Sequence, residues 1–222
     1  MSTLSSDYIC LVGARSGLRY EHLRHEWAGE LRALGVTAFP TADPDRLTNE
    51  RDICGMATVF PEGCFVGLDD GRAVAMGLGV RRHFDLDNPQ HRLADLFDGE
   101  LGTAHHGDGT WYYGIDIAVS PTHRKLGVGK ELYELRKQVC KELHLEGIVA
   151  GGVIPGFAQH KHEMSADEYI QAVVAGTLYD PTLTFQLENG FEAGCALVDY
   201  YPDPAVDNFT ALIVWNNPDY RR

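Results

Sequence analysis

The sequence predicts a mixed α/β fold, a central sheet with helices packed on it, and three features carry that prediction. A tight hairpin signal lies at residues 64–80; a strand, a glycine loop, an amphipathic helix and a second strand follow one another over 111–153; and two further strand patterns close the chain. At 222 residues, with 44% hydrophobic and 23% charged residues, the chain can bury a substantial core without disulfide or metal staples. No repeat, low-complexity run or flexible linker interrupts it, so a single domain over 1–222 is expected.

Residues 8–13 form a short apolar run fit for a strand. Over 19–34, Leu23, Trp27, Leu31 and Leu34 recur at helical spacing and predict an amphipathic helix. A turn-rich stretch at 37–44 precedes a weaker helical pattern over 47–59 that reaches Pro61. Residues 64–68 and 73–80 read as strands joined across Asp69, Asp70, Gly71 and Arg72, where the Asp-Gly pair supplies the positive φ of a tight turn. A polar connection over 83–109, with a short helix-like piece at 93–97, leads into a strand over 111–119. Pro121 ends that strand, Gly127 and Gly129 punctuate a turn, and Leu132, Leu135, Val139 and Leu143 mark the core face of a helix reaching residue 144. The run 147–153 is placed parallel to the 111–119 strand by the right-handed crossover rule. Ser165 and Glu168 form a capping box for a helix through 174, and 192–201 and 208–215 are the closing strands.

Charge excludes some functions. With 19 basic and 32 acidic side chains the net charge is −13, which repels phosphate backbones and anionic lipid, so neither nucleic acid nor a membrane is an expected partner. No run approaches the roughly 18 apolar residues of a membrane span, and the first residues lack a secretory layout; a cytoplasmic protein is expected. Cys10, Cys54, Cys64, Cys140 and Cys195 are odd in number and scattered, and read as reduced, mostly buried thiols.

The most informative segment is 117–132. A turn of Arg124-x-x-Gly127-x-Gly129 that opens directly into a helix exposes backbone N–H groups at the positive helix end, and its glycines let an anion approach the chain. Residues 121–141 hold six cations against two carboxylates, a net of +4 on an acidic protein. The alternative reading is a glycine-rich strand-to-helix turn with solvated basic residues. ATP and NAD are disfavoured, because Gly129-Lys130 is followed by Glu131 where a P-loop needs Ser or Thr, and Leu132 stands where a dinucleotide fingerprint needs glycine.

The pattern Val119-x-Pro121-x-x-Arg124-x-x-Gly127-x-Gly129 resembles the acyl-CoA-binding motif of the GNAT superfamily of N-acetyltransferases. Phe65-Val66 with residues 72–77 is similar to that family's hairpin of second and third strands, and 185–192, containing Gly190-Phe191, to its late helix before the sixth strand. The segments 155–158 and 178–191 also resemble a subgroup found fused to, or encoded beside, nitrilase-type carbon-nitrogen hydrolases. The resemblance implies a GNAT fold whose mixed sheet splays between the fourth and fifth strands, here 111–119 and 147–153, with acetyl-CoA as co-substrate in the wedge. It implies Ile117 and Val119 beside the pantetheine arm and acetyl group, and the pyrophosphate on Arg124, Lys125, Leu126, Gly127, Val128, Gly129 and Lys130. Transfer would be direct, to the amine of a small molecule or peptide, with a backbone N–H near Val119 stabilising the oxyanion.

In many members a Tyr four residues before the Gly-Phe pair protonates the leaving thiolate; here that position is Gln186, which donates no proton but can hydrogen-bond the sulfur. Tyr169 and Tyr179 flank it in sequence, as substitutes or as packing residues. Asp116 is the only carboxylate in its strand, read either as the general base or as a carboxylate paired with a neighbour. His105, His106 and Asp108, and His160, His162 and Glu163, lack further ligands at fixed spacing, and no metal is assigned. The 28-residue connection 154–181 is long enough to form the acceptor pocket or a lid through Phe157, His160, His162 and Tyr169, or else to meet a second copy in a homodimer. The rival function is a GNAT module that binds acyl-CoA without turnover beside a nitrilase-type hydrolase.

Overall fold

The computed structural model describes residues 11–40 and 42–221. Two compact units divide the chain: one runs to Gly79 and includes Ile115–Arg136, the other takes Val80–Gly114 and Lys137–Arg222. The expected strand at 8–13 is present as β1 (Leu11–Val12), while Tyr8, Ile9 and Cys10 lie outside the described residues.

In the first unit β1 pairs antiparallel with β2 (Arg19–His22), β2 with β3 (Phe65–Asp69), and β3 with β4 (Arg72–Arg82). The helix expected over 19–34 therefore begins late. Residues 19–22 are a strand because Leu18 and Tyr20 are buried at alternate positions and the ladder from Arg19↔Leu68 to His22↔Phe65 satisfies the backbone. The helical period takes hold after a 3₁₀ turn at His25–Trp27, in α1 (Ala28–Ala38), which buries Leu31 and Leu34. The weaker helix is α2 (Glu50–Val59), opened by a capping box between Asn49 and Asp52 that our reading passed over. At the hairpin, Asp70 and Gly71 have φ of 45° and 79°, two successive positive angles that suit a tight turn matched to strand twist.

In the second unit the ladder order is β5 (Trp111–Val119), β6 (Gly147–Val153), β8 (Thr210–Asn216), β7 (Glu192–Leu197). The β5 and β6 strands run parallel, as the crossover rule requires, with rungs at Trp111↔Gly147, Tyr112↔Ile148 and Tyr113↔Val149. That ladder stops at Val149, while β6 continues antiparallel to β8 through Val153↔Thr210. Between them lies α3 (Val128–Glu142), with Leu132, Leu135 and Val139 buried as its period predicts. The expected capping box opens α4 (Ala166–Val174), and α5 (Leu183–Glu188) ends at Gly190, φ 78°, before buried Phe191. The β7 strand ends at Leu197 rather than 201, because the chain turns through Asp199 at φ 51°.

Candidate functional site

Local geometry at the glycine loop follows from its residue types. Pro121 starts a 3₁₀ turn (Pro121–His123), Lys125 has φ 63° and Gly127 φ 88°, and α3 begins at Val128. Glu131 donates its N–H to the Gly127 carbonyl at 3.1 Å, so the N–H groups of Val128, Gly129 and Lys130 precede the first intrahelical acceptor and face out of the positive helix end. Gly127 is required twice over: its φ suits no β-carbon, and a Cβ there would sit 2.9 Å from the Arg15 side chain. Arg124 is anchored, its Nη2 donating to the Ala38 carbonyl at the end of α1 at 2.6 Å and its Nε to Val119 at 3.4 Å. Lys125 and Leu126 are exposed, and Gly127, Gly129 and Lys130 are half-buried.

Two residues of this region escaped the sequence reading. Glu131, counted in the sequence only as one of two carboxylates among the basic residues, is buried in the first turn of α3 and turned towards the 13–18 loop. Its carboxylate accepts from the backbone N–H of Arg15 (2.7 Å) and Ser16 (3.1 Å), the Ser16 hydroxyl (2.5 Å) and the Tyr20 hydroxyl (2.8 Å). Burial pushes this carboxyl up, but the hydrogen bonds from Ser16, Arg15 and Tyr20 outweigh it and hold the group below its usual range. The clamp fixes the exposed Arg15 beside Gly127, adding a cation from a distant part of the chain. Only a glutamate in an apparently ordinary amphipathic helix signalled it.

The local charge is arranged differently from the simple count. Arg136 is buried and donates to the Leu78 carbonyl at 2.5 Å and to the Asp116 carbonyl. Lys137 donates to the Asn189 carbonyl and lies over the rings of Phe191 and Trp215 at 5.4 and 5.1 Å, while Lys141 pairs with Asp219 at 3.0 Å. The loop cations are Arg124, Lys125, Lys130 and Arg15.

Asp116 stands half-buried in β5 between half-buried Ile115 and Ile117, with Val119 further along and Ala118 buried. Its Oδ2 accepts from the Thr48 hydroxyl at 3.3 Å. Burial pushes its carboxyl up to about 6, against the opposing pull of Arg136 and Thr48.

In the second unit, Gln186 on α5 is buried with its Oε1 lacking a hydrogen-bond partner, and that oxygen lies 2.5 Å from where a Cβ on Gly152 would be. Neither flanking Tyr joins it as an acid. Tyr169 donates its hydroxyl to Asp180 at 3.0 Å, and Tyr179 is 72% exposed. Fully buried Asp180 also accepts from the N–H of Gly156, Thr182 and Leu183, which staples both ends of the 154–181 segment together. That segment buries Ile154, Phe157, Tyr169 and Ile170, and Asp167 accepts from Ala196 of β7 at 2.7 Å. His105 accepts from the Arg81 N–H, and His160 stacks on Tyr169 at 5.5 Å. Among the described residues no group of three His, Cys, Asp or Glu could hold a metal, and no helix is long and apolar enough to cross a membrane.

A strand that feeds a glycine turn and then an open helix N-terminus is a frame suited to holding a phosphate group. The chain matches the Acetyltransferase (GNAT) family over residues 21–160 and belongs to that family. It is 32% identical over 193 residues to the uncharacterized N-acetyltransferase YkwB of Bacillus subtilis, covering 86% of this chain and 85% of that protein. It is also 36% identical over 162 residues to the probable hydrolase YhcX of Bacillus subtilis, a match that takes in 72% of this chain but only 32% of that longer protein. Among solved structures, a GNAT-like decarboxylase, GphF, in complex with isobutyryl-CoA shares the fold with a TM-score of 0.76 at 21% identity, over 89% of this chain and 98% of that one.

Proposed function

We propose that the chain is an N-acetyltransferase that moves an acetyl group from acetyl-CoA directly to the amine of a small molecule or peptide, as one GNAT domain elaborated over 154–181. The observation that carries this reading is the turn at 124–129, whose positive-φ residues lead into the free amides of Val128, Gly129 and Lys130. Those amides, with Arg124, Lys125, Lys130 and Arg15 around them, suit a pyrophosphate. When bound, acetyl-CoA supplies an acyl carbon activated as a thioester. Leu126 and Gly127 leave the approach open, Ile117 and Val119 flank the arm from their strand, and the Val119 region offers the oxyanion a backbone N–H.

Asp116 would accept the proton of the incoming ammonium. With its carboxyl pushed up to about 6 it is mostly ionised at neutral pH yet basic enough to take a proton. Gln186 holds a free acceptor oxygen, which fits the S–H of released coenzyme A and makes it a hydrogen-bonding residue rather than an acid. The net charge of −13 favours a cationic acceptor.

Two observations support a second reading, a non-catalytic acyl-CoA-binding module beside a nitrilase-type hydrolase. Gln186 stands where a Tyr acid would be, and the match to YhcX covers a third of a protein named as a hydrolase. Calorimetric binding of acetyl-CoA, run beside coenzyme A release over a panel of amines, separates the two. Release on any amine supports the transferase, binding with no release favours the module, and no binding overturns both.

A further inference from the structure

Glu131 is a buried carboxylate that the chemistry above leaves unused, and the groups that bind it all lie in the first unit. Its Oε1 accepts the N–H groups of Arg15 and Ser16, and its Oε2 accepts the hydroxyls of Ser16 (2.5 Å) and Tyr20 (2.8 Å). An ionised carboxylate suits four converging donors, because both of its oxygens accept and neither carries a proton. The Ser16 oxygen in turn accepts from the Leu18 N–H at 3.1 Å. Gly13 donates to the Leu18 carbonyl (2.8 Å) and Gly17 to the Gly13 carbonyl (2.9 Å), so the connection between β1 and β2 is a closed loop pinned to the first turn of α3.

What this loop presents is Arg15. A Cβ on Gly127 would stand 2.9 Å from both Cβ and Cδ of Arg15, so the arginine stem runs along the glycine that precedes the free amides of α3. The residue is exposed, and among the described residues its guanidinium has neither a hydrogen bond nor an ion pair. Other cations of this unit are spent: Arg124 on the carbonyls of Ala38 and Val119, Arg136 on those of Leu78 and Asp116, and Arg19 on Glu21 at 2.9 Å. Lys125 and Lys130 share with Arg15 the lack of a partner among the described residues, but they belong to the turn and helix themselves.

We propose that Arg15, positioned by Glu131, recognises the 3′-phosphate of coenzyme A and makes the site selective for the complete coenzyme over pantetheine donors that lack this group. The proposal rests on the acetyl-CoA reading above. The amides of 128–130 with Lys125 and Lys130 form one contiguous segment that matches the two charges of the diphosphate without help from elsewhere. Arg15 is a third free cation, brought to the same turn by a separate loop, and the anion of coenzyme A still unmatched is the 3′-phosphate. That group is a monoester with about two charges at neutral pH and three terminal oxygens, which a planar guanidinium fork meets bidentately. Glu131 would otherwise oppose an anion at this helix end. With its oxygens turned onto four donors of the 13–18 loop, it holds the cation in place instead.

The test is calorimetry with coenzyme A and with 3′-dephospho-coenzyme A as probes. The wild type should bind coenzyme A roughly tenfold or more tightly than the dephospho form. Arg15→Ala should erase that preference by weakening coenzyme A alone, whereas Lys125→Ala should weaken both probes alike. Glu131→Gln should narrow the preference too, and the double variant with Arg15→Ala should bind coenzyme A no more weakly than Arg15→Ala does, a coupling that a purely structural role for Glu131 would not produce. Should Glu131→Gln fail to fold, Ser16→Ala removes one of the hydroxyls on Glu131 and should narrow the preference in its stead. A wild type that binds both probes equally, or an Arg15→Ala variant that weakens both equally or neither, overturns this assignment alone. Additive losses in the double variant overturn the part given to Glu131. A wild type that binds neither probe overturns the acetyl-CoA reading and this inference with it.

Discussion

Replacing Asp116 with Asn keeps the shape of the side chain in β5 and removes its proton affinity. With the carboxyl at about 6, roughly 90% is ionised at pH 7 and roughly 10% at pH 5, so wild-type kcat should fall about tenfold across that interval. The variant should lose kcat by about 10²-fold at pH 7, with little change in acetyl-CoA affinity because Asp116 sits on the strand and not on the 124–130 turn that holds the pyrophosphate. Stability supplies an independent reading. The folded value lies above the unfolded 3.8, so the folded state holds this proton more tightly, and stability from this group is fully present below about 4 and lost as pH rises through about 6. The loss is bounded by about 3 kcal/mol for a carboxyl moved that far, and less for a half-buried one. Asp116→Asn should therefore gain melting temperature relative to wild type between pH 4 and 7. Equal kcat at pH 7 in both proteins refutes the base role; a pH-independent difference in melting temperature refutes the raised carboxyl.

Gly127→Val should weaken acetyl-CoA binding by tenfold or more in calorimetry, since it strains φ 88° and strikes Arg15. Glu131→Gln should cost about 1–3 kcal/mol in denaturant unfolding above the carboxyl's folded value, with the difference shrinking as pH falls through it, because the lowered carboxyl stabilises only while ionised. Tyr169→Phe should leave kcat unchanged and lower stability by about 1 kcal/mol, as expected of a hydroxyl that serves Asp180. In hydrogen exchange, acetyl-CoA should protect the amides of 128–130; protection of α4 as well would support the lid reading of 154–181, and an unchanged α4 would place that segment away from the acyl end.

Local rules sufficed wherever one segment determined its own structure. The Asp70-Gly71 turn, the Ser165 capping box and the β6 boundaries are set by φ preferences, capping chemistry and short-range patterning, and the structure has them as the sequence predicts. Residues 19–22 were misread because Leu23 continues the helical period of α1 backwards, while the ladder that decides their state comes from β3, over 40 residues away. The candidate site divides in the same way. Its glycine turn is contiguous and legible, but Arg15 is delivered by Glu131 across 116 residues, and no pattern in either segment announces the partnership. Counting charge along 121–141 misled for a related reason: Arg136 and Lys137 spend their donors on carbonyls of neighbouring elements, which charge along a sequence cannot register.

The Gly151-Gly152 pair makes the same argument from the opposite side. In sequence it reads as a bounded strand with two small residues, and nothing local asks for glycine, since neither takes a positive φ. The requirement is steric and non-local. Alternation sends their Cβ directions to opposite faces of β6, and each direction is already occupied, by the Tyr200 ring from the β7–β8 connection and by the Gln186 amide from α5. Two polar groups from distant segments are thereby brought against neighbouring residues of one strand, just past the point where β5 stops pairing with it. A side chain at either position would evict one of them. The two glycines are therefore set by what packs against each face of β6, the Tyr200 ring on one and the Gln186 amide on the other, and not by any local backbone demand.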